Sequence, residues 1–487
     1  MKKVLTLLSL ICIYTSSFAQ SKLRPNIITF LVDDMGWTDF TNPNYRTPNM
    51  ALLAKQGVRF TQAYATPVCT PTRTSILSGM NAAHHGVTNW TSPVKDKNSD
   101  APDQQFSASA WKINGLDPKD YTPYPQLLKE AGYWTIHVGK AHWGAAGTPQ
   151  ASPYNMGFLV NIAGHAAGHP QSYYGKDNFG NIPQKWSVQA VPDLQEYHGS
   201  SIFLTEALTL EAFKALEVPI KKQQPFYLNL SHYAVHTPVL ADDRFFQAYL
   251  NAGLDSTEAR YASLVEGVDK SLGDLMTFLR EKKVAENTII LFLSDNGGLS
   301  LAPARGKKPH VQNLPLRAGK GSVYEGGIRI PLVVKWPKVV EPNQVTEQYV
   351  MAEDVFPTVL QMAQISLPKK IQQVDGQSLL PYMKDTSKKN ESRELIWHYP
   401  NKWIDQDGPG INYKSAIRKG KYKLVYDLRT GQKELYDLEH DLGEEHNLVN
   451  SLPDKSAELS QSLKSYLIKY KAPMPTDKNT GKQVEIN

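Results

Sequence analysis

The stretch Asn26–Val32 reads Asn-Ile-Ile-Thr-Phe-Leu-Val and stops at Asp33-Asp34-Met35-Gly36-Trp37. A nearly continuous apolar run is the pattern of a central parallel strand covered on both faces. Phe226–Ser231 and residues 133–138, 288–293 and 331–336 repeat it, and the first three of these end in polar residues such as His232, Lys140 and Asp295. Helical periodicity fills the intervals. Residues 257–280 put Leu264, Val268, Leu272, Leu275 and Leu279 on one stripe. Thr47 and Pro48 open a shorter helix that ends at Gly57, residues 125–131 stop at Gly132, and 354–363 form another. Strands separated by helices predict an α/β fold with a mostly parallel sheet, whose sites gather at the C-terminal strand ends.

After Asp385 the pattern changes to short strands and turns. Residues 395–398, 415–418, 421–426 and 434–438 predict a small antiparallel sheet. Helix 456–470 packs on it through Leu459, Leu463, Leu467 and Tyr470. The N-terminus has a different character: Lys2 and Lys3, an apolar run over 4–14, and Ser17-Phe18-Ala19 before Gln20 form a signal-peptide pattern. The apolar run is too short to span a bilayer. The reading is therefore a signal peptide over 1–19, a large domain over 20–385 and a small α+β domain over 386–487. It implies export to the periplasm or medium without stable membrane insertion.

Charge narrows the partners. The net charge of +6 falls by two, to +4, when Lys2 and Lys3 leave with a leader that has no acidic residue. That excess suits an anionic substrate and is too weak for nucleic acid. Two irregular polar stretches, 87–120 and 145–199, are too long for plain connections and predict substrate-facing loops. They carry Asn89, Trp90, Trp111, His165, His169 and Trp186. His165 and His169 lie four apart between glycines, which argues against the helix a metal pair would need.

Cysteine usage singles out one stretch, Cys69-Thr70-Pro71-Thr72-Arg73. With Cys12 in the leader, Cys69 is the only cysteine of the exported chain. Thr70 is expected to cap a helix starting at Pro71 and ending at Gly79, with Cys69 at its mouth and Arg73 one turn on, reaching back to residue 69. These five residues fit a buried cysteine at a helix start as well as a nucleophile beside a bound anion. Likewise, Asp33-Asp34 fits an exposed turn as well as a site, and Lys140 and His142 fit ordinary surface groups.

The stretch matches the Cys-x-Pro-x-Arg signature, and through it the chain resembles the formylglycine-dependent sulfatases of the alkaline phosphatase superfamily. Further blocks of that family's pattern extend from Pro25 to about Leu448. Gly139-Lys140-Ala141-His142 is similar to its Gly-Lys-x-His block, with Trp143 in place of the usual leucine. His236, in His-Thr-Pro, matches a histidine contacting the sulfate ester, with His232 a secondary candidate. Lys320, in Gly319-Lys320-Gly321, matches a sulfate-contacting lysine, while Glu325 and Arg329 brace its loop.

The resemblance implies an alkaline-phosphatase-like α/β sandwich and a formylglycine at residue 69, made by a maturation enzyme. Its hydrated aldehyde attacks sulfur with one hydroxyl and releases sulfate through the second. Lys140, Lys320 and Arg73 then hold anionic oxygens and residue 69, His142 takes the second hydroxyl's proton, and His236 protonates the leaving oxygen. Asp33, Asp34, Asp295, the amide oxygen of Asn296 and the oxygen of residue 69 form a hard set suited to Ca²⁺ ahead of Mg²⁺. A sulfated saccharide is the expected substrate. Two rivals stay open: a phosphate or phosphonate ester hydrolase of the same superfamily, and a non-catalytic glycan-binding protein.

Overall fold

The computed structural model describes residues 24–185, 187–299 and 313–487. Residues 1–19, expected to be a signal peptide, and Trp186 lie outside the described residues.

The larger sheet contains β1 (Asn26–Val32), β2 (Val58–Tyr64), β4 (Trp134–Gly139), β5 (Val160–Ile162), β6 (Phe226–Ser231), β7 (Thr288–Ser294), β8 (Arg329–Lys335), β9 (Gln344–Thr346) and β10 (Val350–Met351). Strand order is β10-β2-β8-β7-β1-β6-β4-β5, with β9 pairing β2. The run β7-β1-β6-β4-β5 is parallel throughout, and β8 runs antiparallel to both its neighbours.

The apolar run of β1 serves both faces at once. Ile28, Phe30 and Val32 enter one core with helices Leu204–Lys221 and Ser256–Glu281, whereas Ile27 and Leu31 enter the other with helices Cys69–Ser78, Tyr124–Glu130 and Val355–Met362. A strand buried on both sides cannot alternate apolar with polar, which is why the continuous run marked it. The predicted helix ends shift by one to three residues, the largest at the helix expected from 456, which begins at Pro453.

The C-terminal region forms a separate antiparallel sheet, β11 (Glu394–Tyr399), β12 (Lys414–Lys419), β13 (Tyr422–Asp427) and β14 (Lys433–Asp437) in that order. Helix Pro453–Lys469 covers one face through Leu459, Leu463 and Leu467. The other face turns Leu395, Trp397 and Tyr399 onto Tyr64, Val323 and Ile328, and Trp397 Nε1 donates to the Ala65 carbonyl at 2.9 Å. Beneath this contact, fully buried Lys423 pairs with Glu325 at 3.0 Å and Glu444 at 2.8 Å. A small two-stranded sheet joins β3 (Phe106–Ser107) to β15 (Thr476–Asp477), tying one long loop to the chain's far end.

Candidate active site

In-register pairing of β1 and β7 puts Val32 beside Ser294, so Asp33 and Asp295 leave the sheet together. Asp34 N donates to Asp295 Oδ1 at 3.2 Å. Asp34 has φ 60°, a left-handed conformation rare outside Gly, Asn and Asp, and the two adjacent carboxylates engage different partners. Lys140 Nζ lies 2.6 Å from Asp33 Oδ2, and Lys320 Nζ lies 2.7 Å from Asp34 Oδ1. Lys140 arrives through Gly139, where φ is 98° and an added Cβ would stand 2.0 Å from the Ser231 carbonyl. Only glycine lets β4 and β6 meet there.

Cys69 is the first residue of helix Cys69–Ser78, which starts two residues earlier than the expected Pro71. Val68 is the cap and makes no side-chain bond, so Thr70 does not cap the helix as expected. The Thr70 hydroxyl instead accepts from Thr91 N at 3.1 Å and lies 3.4 Å from His142 Nδ1. Pro71 is tolerated because the first helical turn leaves its N–H groups without intrahelical partners. Arg73 also departs from expectation. Its main partner is Asp295, with Nε donating to Oδ2 at 2.8 Å, and Nη1 donates to Lys140 O at 2.9 Å and Ser231 Oγ at 2.7 Å. Arg73 Nη2 is buried without a hydrogen-bond partner, 3.9 Å from Asp33 Oδ1.

His142 has φ 53° and turns its ring toward Cys69, with Nδ1 at 3.4 Å from Sγ. Its Nε2 lies 2.9 Å from the Thr91 carbonyl, which can only accept. The hydrogen-bond network therefore assigns the proton to Nε2 and leaves Nδ1 as a lone pair facing residue 69. Burial, reinforced by Lys140, holds this imidazole well below its ordinary pKa, so it is neutral. Gly168 packs on the ring so closely that a Cβ would stand 2.5 Å from Cε1.

His236 presents Nε2 at 3.6 Å from Asp34 Oδ2. His169 stacks on it with rings 5.7 Å apart and 8° from parallel. His232 points elsewhere: Nε2 meets Ser271 Oγ at 2.9 Å and the ring packs on Phe30, making it a core histidine.

The donor set fits a hard divalent cation. Asp33 Oδ1 and Asn296 Oδ1 are buried with no hydrogen-bond partner, an arrangement that is costly unless something electropositive faces them. Oxygens of Asp33 and Asp295 and the sulfur of Cys69 lie within 4.8 Å of one another. Burial, helped by the neighbouring Asp295 carboxylate, pushes Asp33 well above the carboxylate range. Burial pushes Asp34 the same way, but His236, Lys320 and Lys140 hold it below that range.

Above these groups opens a cavity of about 430 Å³, floored by Cys69, Asp34, His142, His236 and Lys320. Both long loops reach it in part, through Trp90, Val94 and Lys97 from one and His169 and Gln189 from the other. Several expected substrate contacts are absent. Trp111 is buried in the core, Asn89 is bonded to Asp100 and Tyr399, and His165 is half-buried near Tyr233. They pin the loops rather than face a ligand.

Sequence reasoning missed Trp403, which the C-terminal region contributes to the cavity. It lies against Gly321, where a Cβ would stand 2.0 Å from its ring. A tryptophan inside the polar run Asn401–Gly408 was the available signal.

Comparison with known proteins bears on all of this. A family model described as Sulfatase matches residues 25–365, and one described as the C-terminal part of N-sulphoglucosamine sulphohydrolase matches 319–472. A sulfatase of Formosa agariphila is 31% identical over 92% of this chain and 90% of its own. Human N-acetylgalactosamine-6-sulfatase is 33% identical over 73% of this chain and 65% of its own. The solved structure of Ps i-CgsB in complex with k-i-k-neocarrahexaose is 27% identical, with a TM-score of 0.72, covering 91% of this chain and 93% of that one.

Proposed function

This chain belongs to the sulfatase family and is a sulfuric ester hydrolase, and we propose that it desulfates a saccharide through a formylglycine made from Cys69 beside a Ca²⁺ ion. The observation that carries the proposal is the convergence of Cys69, His142 and Lys320 on one cavity floor, with two unpartnered buried oxygens just behind it, on Asp33 next to Cys69 and on Asn296, which bonds Asp34. Burial pushes the Cys69 thiol above its ordinary pKa despite Lys140 and Lys320, so the unmodified side chain is a poor nucleophile at neutral pH.

Formylglycine supplies a hydrated aldehyde, with one hydroxyl to attack sulfur and a second to release sulfate. Asp33, Asp34, Asp295 and Asn296, with the oxygen of residue 69, would hold Ca²⁺, which when bound acts as a Lewis acid on that nucleophile and on the ester oxygens.

The remaining work falls to side chains already in position. His142 Nδ1 takes a proton from residue 69, its tautomer fixed by Thr91. Arg73 holds Asp295 at the ion site and offers Nη2 to an oxygen. Lys140 and Lys320 balance the carboxylates and attract the sulfate. Against the pull of burial, Asp34 keeps Lys320 charged, so a proton is stored beside His236 for the departing alcohol.

The saccharide part rests on the relatives and the cavity. One relative is named for N-acetylgalactosamine 6-sulfate and a solved structure holds a neocarrahexaose. The cavity volume falls within the ~300–1,000 Å³ usual for small-molecule sites, and Trp90 and Trp403 give it aromatic walls. The leader pattern over 1–19 supports export to where such polymers or their fragments occur. No helix among the described residues is long and apolar enough to cross a membrane.

His236→Ala tests the proton route. Turnover of a sugar sulfate should fall by roughly 10²–10⁴-fold, the usual range for a positioned acid. The loss on an aryl sulfate should be smaller, because a phenolate departs with little help. Equal losses on both would assign His236 to sulfate binding instead.

A further inference from the structure

The charges around the cavity are unevenly distributed. At the floor, Asp34 is bonded to Lys320 and to Asn296 Nδ2, so each sign is answered. Asp34 is also the only carboxylate lining the cavity among the described residues. Lys97, on the wall near Trp90, is exposed and makes no ion pair among the described residues. Its neighbour Asp96 makes no ion pair with it, its carboxylate accepting from Asn114 Nδ2 at 2.7 Å instead.

The backbone under Lys97 is held in place. Lys97 N donates to Val94 O at 3.3 Å, closing a turn, and Ser99 Oγ donates to the Trp90 carbonyl. Asp100 then accepts from Asn89 at 2.8 Å and from Asn401 at 3.1 Å, and Ala101 N donates to Lys402 O at 2.8 Å. These bonds lock the loop bearing Trp90 and Lys97 to the segment bearing Trp403. A fixed aromatic wall beside one unpaired cation is a site for an apolar ring face that carries a negative group.

We infer that Lys97 is a specificity-determining residue that pairs with a second anionic group of the substrate, either a carboxylate or another sulfate. The inference rests on the saccharide reading above. The scissile sulfate occupies the floor, a sugar ring lies against the tryptophans, and the second anion meets the ammonium. A substrate lacking that group leaves Lys97 solvated and loses the pair.

The test uses the full-length matured enzyme with defined disaccharides of the same sulfated sugar. One form is otherwise neutral, one carries a hexuronate and one carries a second sulfate, with 4-nitrophenyl sulfate as reference. The expected result is a kcat/KM up to about fivefold higher for an anionic form than for the neutral one, the upper end for one solvent-exposed ion pair. Rising salt should erode that preference. Lys97→Ala should remove it and Lys97→Glu should reverse it, and whichever anionic form responds identifies the group. Equal kcat/KM for all three disaccharides, or a preference that persists in Lys97→Ala, overturns the assignment and leaves the saccharide reading standing. Turnover of 4-nitrophenyl sulfate with none of any saccharide overturns both.

Discussion

Cys69→Ala should lower aryl-sulfate turnover by on the order of 10⁶-fold, the scale found when an enzyme loses its nucleophile. The fold should survive, because Cys69 begins a helix held by its neighbours. Thr66 and Thr72 are joined at 2.7 Å, and Arg73 is fixed by three separate partners. Cys69→Ser adds a sharper readout. Serine restores an oxygen at the helix mouth but brings only one hydroxyl, so a sulfuryl group it accepts has no second hydroxyl to expel it. One equivalent of alcohol should appear, and the protein should gain the mass of one SO₃ unit. Turnover by Cys69→Ala within tenfold of the natural protein would assign the attack to another group.

Asp295→Asn should cost on the order of 10³-fold, the equivalent of ~4 kcal/mol of transition-state stabilisation. The substitution keeps the shape, and the amide oxygen can still accept from Arg73 Nε, now 2.8 Å from Oδ2. What it removes is one negative charge, with the oxygen that accepts from Asp34 N, from a set whose Asp33 Oδ1 and Asn296 Oδ1 have no partner. Bound calcium, counted by elemental analysis, should fall in parallel with activity. Treating the natural protein with a calcium-selective chelator should abolish turnover, and Ca²⁺ should restore it better than Zn²⁺, because the donors are oxygens. Unchanged activity and calcium content in Asp295→Asn would mean that the ion site lies elsewhere.

Much of the scaffold could be read from local pattern. A strand buried on both faces is apolar throughout, so Asn26–Val32 and Phe226–Ser231 were placed to the residue, and their polar ends marked one edge of the sheet. The parallel register then does what sequence cannot do alone, bringing Asp33, some 260 positions from Asp295, to its side. Blocks of a few residues carried the reactive groups because glycines must sit beside them where another group packs on the backbone, the Ser231 carbonyl at Gly139 and the Trp403 ring at Gly321.

The errors share a physical cause. Thr70 has the right chemistry for a cap, but its hydroxyl is used tertiarily, by Thr91 and His142. Arg73 can reach one turn back along its helix, yet the buried carboxylate of Asp295, just past the end of β7, is the stronger partner. Trp111 and Trp403 are both tryptophans in irregular segments. Only packing distinguishes them, one buried in the core and the other lining the cavity. Gly168 and His169 belong to a stretch with no metal geometry. They bear on the site by stacking, Gly168 on His142 and His169 on His236, and such contacts leave no spacing signature.

Peptide mass spectrometry of residue 69, made on the preparation whose aryl-sulfate turnover is measured, tests the whole account most directly. The expected peptide has lost the cysteine sulfur and carries a carbonyl oxygen in its place, in a fraction that rises with specific activity across preparations. Full activity in protein carrying only the unmodified Cys69 thiol would contradict it.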